Sequence, residues 1–516
     1  MIYLTVENNR TSMVGADSYL LNVLDLELRY PSPIALANES GVILPGDSDW
    51  DGWIRLLRQP KTIPPWFPTG LLPHVVRYCI KHGYEHQIMD HRQRPELDVP
   101  EAAVKIPLRD YQQEAVRLAI RDCRGVIDCP PRSGKTRMAC EIQHQLHLNT
   151  VWIAPTDRIV TQTQAVLEVF FGPNYSSHLV GTKDIDQAAR RKVVVCTAAT
   201  ASRLPAEFYR SRQCVIVDEF HHGSAPTYRN IFNLLDHVYY RYGMTGTFFR
   251  SGEDELAMHA LLSTTIFKIT STELLRRGYL VPSYVAFIPV LCKKLRGVEP
   301  VFQTGHGKQG IHEHQIRQQL AADAAFLLWQ TGRKVLILVG TKRQGHMLRK
   351  ILLDSLPPTA DRAQFESVEF VSTDIARKTQ GEILESFESS DEVKVLIGTS
   401  ILGEGVDLPA ADALVYARGE KAEVTLTQNV YRTCTAVPGK TDAVIVDFAD
   451  RHHRRLLEHS QERLRVYYDE PTFSVTVLGS PQQFPGWLEH LPPGGERRVP
   501  EESQPQPTHA AQASGA

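Results

Sequence analysis

Two series of short apolar runs alternate with helical patterns along the chain. The first series extends from Val104 to about Val285, and the second extends from Lys334 to Val446. The runs are rich in β-branched residues and carry apolar residues at successive positions, a pattern typical of parallel strands that are buried on both faces. The pattern therefore predicts two successive α/β domains, each built on a parallel sheet.

The ends of the chain differ from these two series. Residues 1–100 mix a strand-like start, Met1–Val6, with a helical pattern across Leu71–Gly83, which predicts a small α+β accessory domain. Residues 476–516 are rich in Pro, Gln, Ser and Gly, a composition that favours a disordered tail. We therefore predict an accessory domain over 1–100, α/β domains over 101–285 and 286–475, and a tail over 476–516.

Composition restricts the function classes. The 516 residues include 57 Lys and Arg against 59 Asp and Glu. The net charge therefore does not favour non-specific binding to nucleic acid, and phosphate binding must come from local sites. The eight cysteines lack zinc-type spacing, which favours buried thiols in a reducing cytosol, and a metal-binding histidine cluster around His306, His312 and His314 is not favoured. With no signal sequence and no membrane-length apolar run, we expect a cytoplasmic protein.

A phosphate-binding loop is predicted after the first strand of the first α/β series. The strand Val126–Cys129 is followed by Pro130-Pro-Arg-Ser-Gly-Lys-Thr136 and then by a helical pattern. Gly134 lets backbone N–H groups approach phosphate oxygens, Lys135 is placed for the β and γ phosphates, and Thr136 offers a hydroxyl to Mg²⁺. The usual first Gly of this loop type is Cys129, so the loop alone does not settle the function.

Two adjacent carboxylates strengthen the nucleotide hypothesis. Asp218 and Glu219 follow the apolar run Cys214–Val217, and His221 comes two residues later. Such a pair beside a phosphate loop suits metal-assisted nucleotide hydrolysis, in which one carboxylate holds Mg²⁺ and the other orients water.

The ordered motifs resemble those of the superfamily-two DExH helicases and translocases over about residues 105–470. The segments that carry the resemblance, in chain order, are Leu108-Arg-Asp-Tyr-Gln112, the phosphate loop, Ala154-Pro-Thr-Asp-Arg158, Val195-Cys-Thr197, Asp218-Glu-Phe-His221, Gly243-Met-Thr-Gly-Thr247 followed by Arg250, Val335 to Thr341, Ile397 to Pro409, and Gln428-Asn-Val-Tyr-Arg432. The resemblance implies two tandem RecA-like parallel-sheet domains, with ATP and Mg²⁺ as cofactors.

The resemblance also implies roles for individual residues. In it Glu219 orients the attacking water, Gln428 senses the γ phosphate, and Lys135 and Arg432 neutralise phosphate charge. The implied catalytic residues are Lys135, Asp218, Glu219, His221, Gln428 and Arg432. The implied nucleotide-binding residues are Arg109, Gln112, Arg132, Ser133, Gly134, Lys135, Thr136, Gly405 and Asp407, with Thr136 and Asp218 as Mg²⁺ ligands. The implied nucleic-acid contacts are Pro155, Thr156, Arg158, Thr197, Thr245, Thr247 and Thr399.

Two departures from the family pattern bear on activity. Arg132 stands where the related loop has Gly, and it either adds a cation near the phosphates or points to solvent. Tyr431 and Thr435 replace the Gly and the second Arg of the last motif. If Thr435 occupies the position of the arginine that reaches the transition state, Arg432 must supply that charge or turnover is weak.

The first 100 residues resemble the small domain ahead of the motor in phage UvsW-type branch-migration helicases. The most specific run is Trp50-Asp-Gly-Trp-Ile-Arg-Leu-Leu57. The resemblance implies DNA, single-stranded, duplex or branched, as the partner in preference to RNA. Trp50, Trp53, Trp66 and Phe67 either stack on unpaired bases or fill the core of this domain.

These observations predict an ATP-dependent DNA helicase or translocase that remodels or unwinds branched DNA in recombination, repair or replication in a bacterial cell or a phage-infected host. Within the same class, the motor of an RNA helicase or of a restriction or defence complex remains an alternative. From a different class, Arg132 and Thr435 motivate a nucleotide-switched clamp that binds nucleic acid and scarcely hydrolyses ATP.

Overall fold

The chain forms two compact units, Met1–Thr270 and Ser271–Ala516. The computed structural model describes residues 1–31, 52–97, 106–222, 226–246, 252–292, 308–355, 367–390, 392, 394–399, 402, 408–419 and 423–492. Within these ranges, no helix is both long enough and apolar enough to cross a membrane.

The first unit begins with an accessory module of mixed α and β structure. Its strands are β1 (Ile2–Val6), β2 (Arg10–Val14), β3 (Arg29–Pro31), β4 (Trp53–Arg55), β5 (Trp66–Pro68) and β6 (His86–Asp90), and its helices are α1 (Ser18–Glu27) and α2 (Leu72–Lys81). A four-stranded sheet has the order β5-β2-β1-β6, and β3 and β4 form a separate pair. Leu4, Leu20 and Phe67 are buried in the module core, so Phe67 is a core residue and not a surface for base stacking.

The rest of the first unit is a parallel α/β domain. Its strands are β7 (Arg124–Asp128), β8 (Thr150–Ala154), β9 (Ser176–Leu179), β10 (Val193–Thr197), β11 (Cys214–Val217), β12 (Tyr240–Thr245) and β13 (Thr265–Lys268). Its helices are α3 (Asp110–Asp122), α4 (Lys135–Leu146), α5 (Asp157–Phe171), α6 (Ile185–Ala189), α7 (Ala198–Ala201), α8 (Ala206–Tyr209), α9 (Pro226–Leu234) and α10 (Gly252–Leu261). The seven strands pair in parallel in the order β13-β7-β12-β11-β8-β10-β9.

The second unit repeats this architecture. Its strands are β14 (Ser283–Pro289), β15 (Val335–Leu338), β16 (Val368–Val371), β17 (Val395–Gly398), β18 (Ala413–Tyr416), β19 (Ala443–Ala449) and β20 (Phe473–Val477). Its helices are α11 (Ser271–Arg276), α12 (Gln315–Gln330), α13 (Lys342–Asp354), α14 (Arg377–Ser389), α15 (Glu423–Val430), α16 (Arg454–Tyr468) and α17 (Phe484–Glu489). Its seven strands also pair in parallel, in the order β16-β17-β15-β18-β19-β14-β20. The predicted fold class of two tandem parallel-sheet domains is confirmed.

Element bounds differ from the sequence pattern at two places. Strand β14 contains residue 285, yet it pairs with β19 and β20 in the second sheet, so the second domain starts before residue 286. Helix α17 lies inside the predicted tail, and its Phe484 is buried against the core of the second unit. Trp487 and Leu488 also pack against this core, so the burial of apolar side chains offsets the ordering of the chain here. Residues 493–516 lie outside the described residues.

Buried arginines join the accessory module to the first α/β domain. Arg124 donates to the backbone oxygen and the side-chain oxygen of Asn8, at 3.0 and 2.9 Å. Arg241 donates to the side-chain oxygen of Asn9 at 2.6 Å, and it also bonds the carbonyl of Leu235. Burial, followed by the positive charge of Arg92, lowers the pKa of Arg241 to about 9, because a buried site disfavours the charged guanidinium.

A second contact joins the module to helix α10. A Cβ atom added to Gly70 would lie 1.9 Å from the carbonyl oxygen of His259, so glycine permits the two backbones to approach. Ala260 packs in the same core as the module residues. The module and the first α/β domain therefore share one compact unit.

Asn8→Ala tests whether the arginine contacts hold the module in place. The substitution removes the Asn8 side-chain oxygen that accepts from buried Arg124 and leaves the backbone acceptors in place, and it is expected to lower the opening free energy by about 1.5–3 kcal/mol. Native-state hydrogen exchange of β1 and β7 amides measures this change. Glu7→Ala is the control, because its ion pair with Arg10 is about half exposed and should contribute less than about 1 kcal/mol. Equal protection in Asn8→Ala and wild type would contradict the role of this contact.

Candidate nucleotide site

The loop of residues 129–134 connects β7 to α4 in a conformation that demands unusual backbone angles. Gly134 immediately precedes α4 with a φ of 79°, and Arg132 has a φ of 70°. The left-handed region costs a non-glycine residue about 1–2 kcal/mol, which explains why related loops carry Gly at the position of Arg132. Arg132 is half-buried, and whether it contacts phosphate or solvent stays open. Thr136 lies in the first turn of α4, where N–H groups favour anions.

Two side chains of helix α3 form hydrogen bonds to this loop. The Tyr111 hydroxyl and the Gln112 amide both donate to the carbonyl of Ser133, each at 2.7 Å. The other end of the Gln112 amide accepts from the Arg109 N–H at 2.9 Å. Both ends of Gln112 therefore bond within the protein in this structure, while adenine recognition by Arg109 and Gln112 stays a prediction. The contact of Tyr111 with the phosphate loop was not predicted, although Tyr111 lies in the same sequence motif as Arg109 and Gln112.

The carboxylates lie at the end of β11. Asp218 accepts a hydrogen bond from the N–H of Glu219 at 3.0 Å, and Glu219 adopts a left-handed φ of 48°. His221 Nδ1 lies 3.3 Å from a carboxylate oxygen of Glu219. Burial, followed by the negative charge of Glu219, raises the pKa of Asp218 to about 6, and the nearby Lys135 ammonium opposes this shift.

Sheet order makes the phosphate loop and the carboxylates neighbours. Strand β12 lies between β7 and β11, and the carboxyl ends of parallel strands meet at the same edge of a sheet. The residue after β12 is Gly246, where an added Cβ atom would lie 2.7 Å from Lys135 Nζ. Lys135 Nζ donates to the carbonyl of Cys129 at 3.3 Å. Three strand ends thus bring together Lys135, Gly246 and Asp218.

The predicted nucleic-acid residues of the first unit follow the next strands along this edge. The Thr156 and Thr197 hydroxyls accept the N–H groups of Ile159 and Thr200, so each caps a helix that follows a strand. Pro155 and Arg158 lie beside Thr156 and are partly exposed.

Thr245 differs from these residues. It is fully buried, so its side chain offers no surface to a strand in this conformation. The predicted contact of Thr245 with nucleic acid is therefore not supported. Thr247 and Arg250 lie outside the described residues.

The second unit carries the last motif on α15 and the turn that follows it. Gln428 is half-exposed, whereas Arg432 is only 3% exposed and donates to the carbonyl of Leu402. Tyr431, which replaces the usual Gly, is buried, and its hydroxyl donates to Glu470 at 2.5 Å. Thr435 pairs with Leu280 in an isolated β-bridge.

Thr399 lies at the carboxyl end of β17 and is largely buried. Gly405 and Asp407 lie outside the described residues.

Gly134→Ala is expected to abolish nucleotide binding. A Cβ atom there would lie 2.3 Å from Gln112 Nε2 and would require a φ of +79°, so the loop must move. Gly172→Ala is the matched control, since Gly172 has a φ of +83° and nothing within 4 Å of an added Cβ. That control introduces backbone strain without a clash. Titration with a fluorescent ATP analogue measures binding, and unchanged affinity in Gly134→Ala would contradict the loop assignment.

Asp218→Asn is expected to stabilise the first unit above pH 6 in metal-free buffer. The pKa of Asp218 is raised from 3.8 to about 6, so the folded protein binds more protons than the unfolded chain between these values. Stability therefore falls as pH rises through this window. The free energy of unfolding of Asp218→Asn should exceed that of wild type by about 1–3 kcal/mol at pH 8, and the difference should shrink towards pH 4.

Thermal unfolding from pH 4 to pH 8 measures this effect. The exposed Asp186 provides the control substitution, Asp186→Asn. A stability difference between Asp218→Asn and wild type that does not depend on pH would contradict the burial of an ionised Asp218.

Two protein-family models match the sequence of this chain. A family model described as "Type III restriction enzyme, res subunit" matches residues 105–250, and one described as "Helicase conserved C-terminal domain" matches residues 318–436. The chain is similar to DNA 3'-5' translocase XPB2 of Sulfurisphaera tokodaii, with 25% identity over 350 residues that cover 63% of this chain and 77% of the relative.

Solved structures with a similar fold include a fragment of a putative HsdR subunit of a type I restriction enzyme from Vibrio vulnificus YJ016, at 17% identity and a TM-score of 0.52, covering 78% of this chain and 73% of that one. UvsW of bacteriophage T4 matches at 17% identity and a TM-score of 0.44, covering 92% of this chain and 99% of that one. From the two family models and the ordered motifs, the chain belongs to the superfamily-two helicases and is an ATP-dependent helicase.

Proposed function

We propose that this protein is an ATP- and Mg²⁺-dependent DNA motor that remodels or unwinds branched DNA in recombination, repair or replication. The observation that carries the proposal is the meeting of Lys135 and Asp218 at neighbouring strand ends, where the charge of Lys135 affects the Asp218 carboxyl. This arrangement suits phosphoryl transfer, in which catalysis consists almost entirely of positioning and charge stabilisation.

The residues present fit a magnesium ion. The Thr136 hydroxyl and the Asp218 carboxylate supply the hard oxygen ligands that Mg²⁺ prefers beside substrate phosphates. When bound, Mg²⁺ neutralises charge on those phosphates. Lys135 binds the β and γ phosphates, and Glu219, held by its contact with His221, orients the attacking water.

DNA is the nucleic acid that the comparisons favour. The relative from Sulfurisphaera tokodaii is named a DNA translocase. In this chain, Thr156 and Thr197 follow the strands next to the nucleotide site. Contacts from Thr156, Arg158 and Thr197 to backbone phosphates would fix a strand without reading its sequence, as a motor requires.

The accessory module supports action at a branch. Its two-stranded sheet carries Trp53, which is 36% exposed, and the Arg29 guanidinium lies 4.4 Å from the centre of the Trp53 ring. An exposed ring with an adjacent cation suits stacking on an unpaired base. Because Asn8 and Asn9 bind buried arginines of the motor, such a contact would move together with the first α/β domain.

One observation favours a second candidate, the nucleotide-switched clamp. Arg432 is almost fully buried and bonds a carbonyl of its own unit, so it must leave this position before it can stabilise charge on a transferring phosphate. A clamp would bind ATP and DNA with very slow turnover.

ATP hydrolysis with single-stranded, duplex and forked DNA and with RNA tests these functions. The motor proposal expects the strongest stimulation by forked DNA and no turnover in Lys135→Ala. Stimulation by RNA alone would contradict the DNA assignment, and ATP binding without turnover on any substrate would favour the clamp.

Trp53→Ala separates branch recognition from the motor itself. The loss of one stacked base should weaken binding to forked DNA by about 1–3 kcal/mol while stimulation by duplex DNA persists. Tyr19→Ala is the control, since Tyr19 is an exposed aromatic residue on α1 of the same module. Equal fork affinity in Trp53→Ala and wild type would contradict the stacking role.

A further inference from the structure

Three separate segments of the second unit bring a thiol and two imidazoles together. Cys292 follows β14, His314 immediately precedes α12, and His452 follows β19. One potential ligand atom from each side chain lies within 4.8 Å of the other two. The cluster lies at the carboxyl edge of the second sheet, where β14 and β19 are neighbours, and its three residues are not among those predicted for the nucleotide site.

The hydrogen bonds of His452 leave one ring nitrogen available. His452 is 1% exposed, and its Nε2 lies 2.8 Å from the carbonyl oxygen of Gly310. A carbonyl oxygen only accepts, so Nε2 carries the hydrogen and Nδ1 carries the lone pair. Nδ1 is buried, and no residue in the described part of the chain forms a hydrogen bond to it. A ring held by a carbonyl at one nitrogen and free at the other is typical of metal-binding histidines.

The distance between Cys292 and His314 suits a shared metal ion. Cys292 Sγ lies 3.5 Å from His314 Nε2. Zinc bonds of about 2.3 Å to sulfur and about 2.0 Å to nitrogen place two tetrahedral ligands about 3.5 Å apart. The His314 and His452 rings stack with their centres 4.4 Å apart, so the His452 ring must turn before its Nδ1 can bind the same ion.

Metal binding requires one local change at His314. Its Nδ1 accepts the N–H of Arg317 at 3.3 Å, so Nε2 carries the hydrogen in the neutral ring. Coordination through Nε2 moves that hydrogen to Nδ1 and ends this long bond. The loss of one long helix-cap bond costs much less free energy than the formation of metal–ligand bonds releases.

Charged groups beside the cluster are paired with one another. The Asp450 carboxylate binds Arg317 at 2.8 Å, and Arg463 binds both Asp450 and Asp447. These two carboxylates and two guanidinium groups carry no net charge together, so this group of four does not oppose a metal ion.

We propose that Cys292, His314 and His452 bind a divalent transition-metal ion of the zinc type, with solvent at the fourth position. One thiolate and two imidazoles form a ligand set that suits zinc better than the hard cation of the nucleotide site. The ion would join the ends of two strands to the segment Lys308–His312, whose Gly310 carbonyl already bonds His452.

The position of this segment gives the ion a structural role near a motor motif. A Cβ atom added to Gly340, which follows β15, would lie 2.3 Å from His312 Nε2. His312 therefore packs directly on the loop that resembles motif IV. Metal binding would fasten the short helix Lys308–His312 against that loop.

Cobalt titration of the full-length chain, purified without a histidine tag, tests the proposal. The expected result is a thiolate-to-cobalt charge-transfer band with tetrahedral d–d bands that saturate at one ion per chain and disappear on addition of zinc. Cys292→Ser should abolish the charge-transfer band, whereas His490→Asn, which replaces an exposed histidine of the same unit, should retain it. No thiolate band in wild type, or an unchanged band in Cys292→Ser, would overturn the proposal.

A second measurement needs no substitution at the cluster. Zinc should slow alkylation of Cys292 by iodoacetamide, as followed by mass spectrometry of its peptide, in wild type and in Lys135→Ala alike. An alkylation rate that zinc leaves unchanged would overturn the proposal, even if the motor function holds.

Discussion

The parallel sheet imposes the constraint on which the site depends, because it delivers the carboxyl ends of its strands to one edge. The order β7-β12-β11-β8-β10 then decides which loops are neighbours. The phosphate loop, Gly246 and Asp218 occupy three consecutive strand ends, and Thr156 and Thr197 occupy the next two. The predicted nucleotide-binding and strand-contacting residues are therefore adjacent on one edge of the sheet, an arrangement that suits the proposed coupling of hydrolysis to movement along DNA.

This edge concentrates conformations that are unfavourable elsewhere. Arg132 and Glu219 adopt left-handed backbone angles, and Asp218 is partly buried beside a second carboxylate. Such strain persists only where the surroundings fix it. Here two features fix it. Apolar strands such as β11 are fully buried, and Tyr111 and Gln112 form hydrogen bonds to Ser133.

Local patterns allowed the fold and the nucleotide site to be predicted from sequence. Apolar runs identified the strands, and the spacing of Lys135 and Asp218 along alternating strands and helices implied a common edge. Contacts between distant segments left no such signal. The thiol of Cys292 meets His452 only because β14 and β19 pair, and Asn8 meets Arg124 only through the docking of the accessory module. Thr245 lies in a sequence motif from which a nucleic-acid contact was predicted, but its burial depends on the packing of the whole sheet and is not visible in the motif.

The central proposal is that one nucleotide binds between the phosphate loop and the DExH carboxylates of the first unit, and the proposed motor further requires Arg432 to reach the phosphates of this nucleotide. A structure of the protein with forked DNA, Mg²⁺ and ADP–aluminium fluoride tests this claim most directly. We expect the fluoride group beside Lys135, the metal ion bound to Thr136 and Asp218, and the Arg432 guanidinium turned from Leu402 towards the fluoride. A nucleotide bound elsewhere, or an Arg432 that stays on the Leu402 carbonyl while Thr136 and Asp218 fail to share the metal ion, would contradict the account.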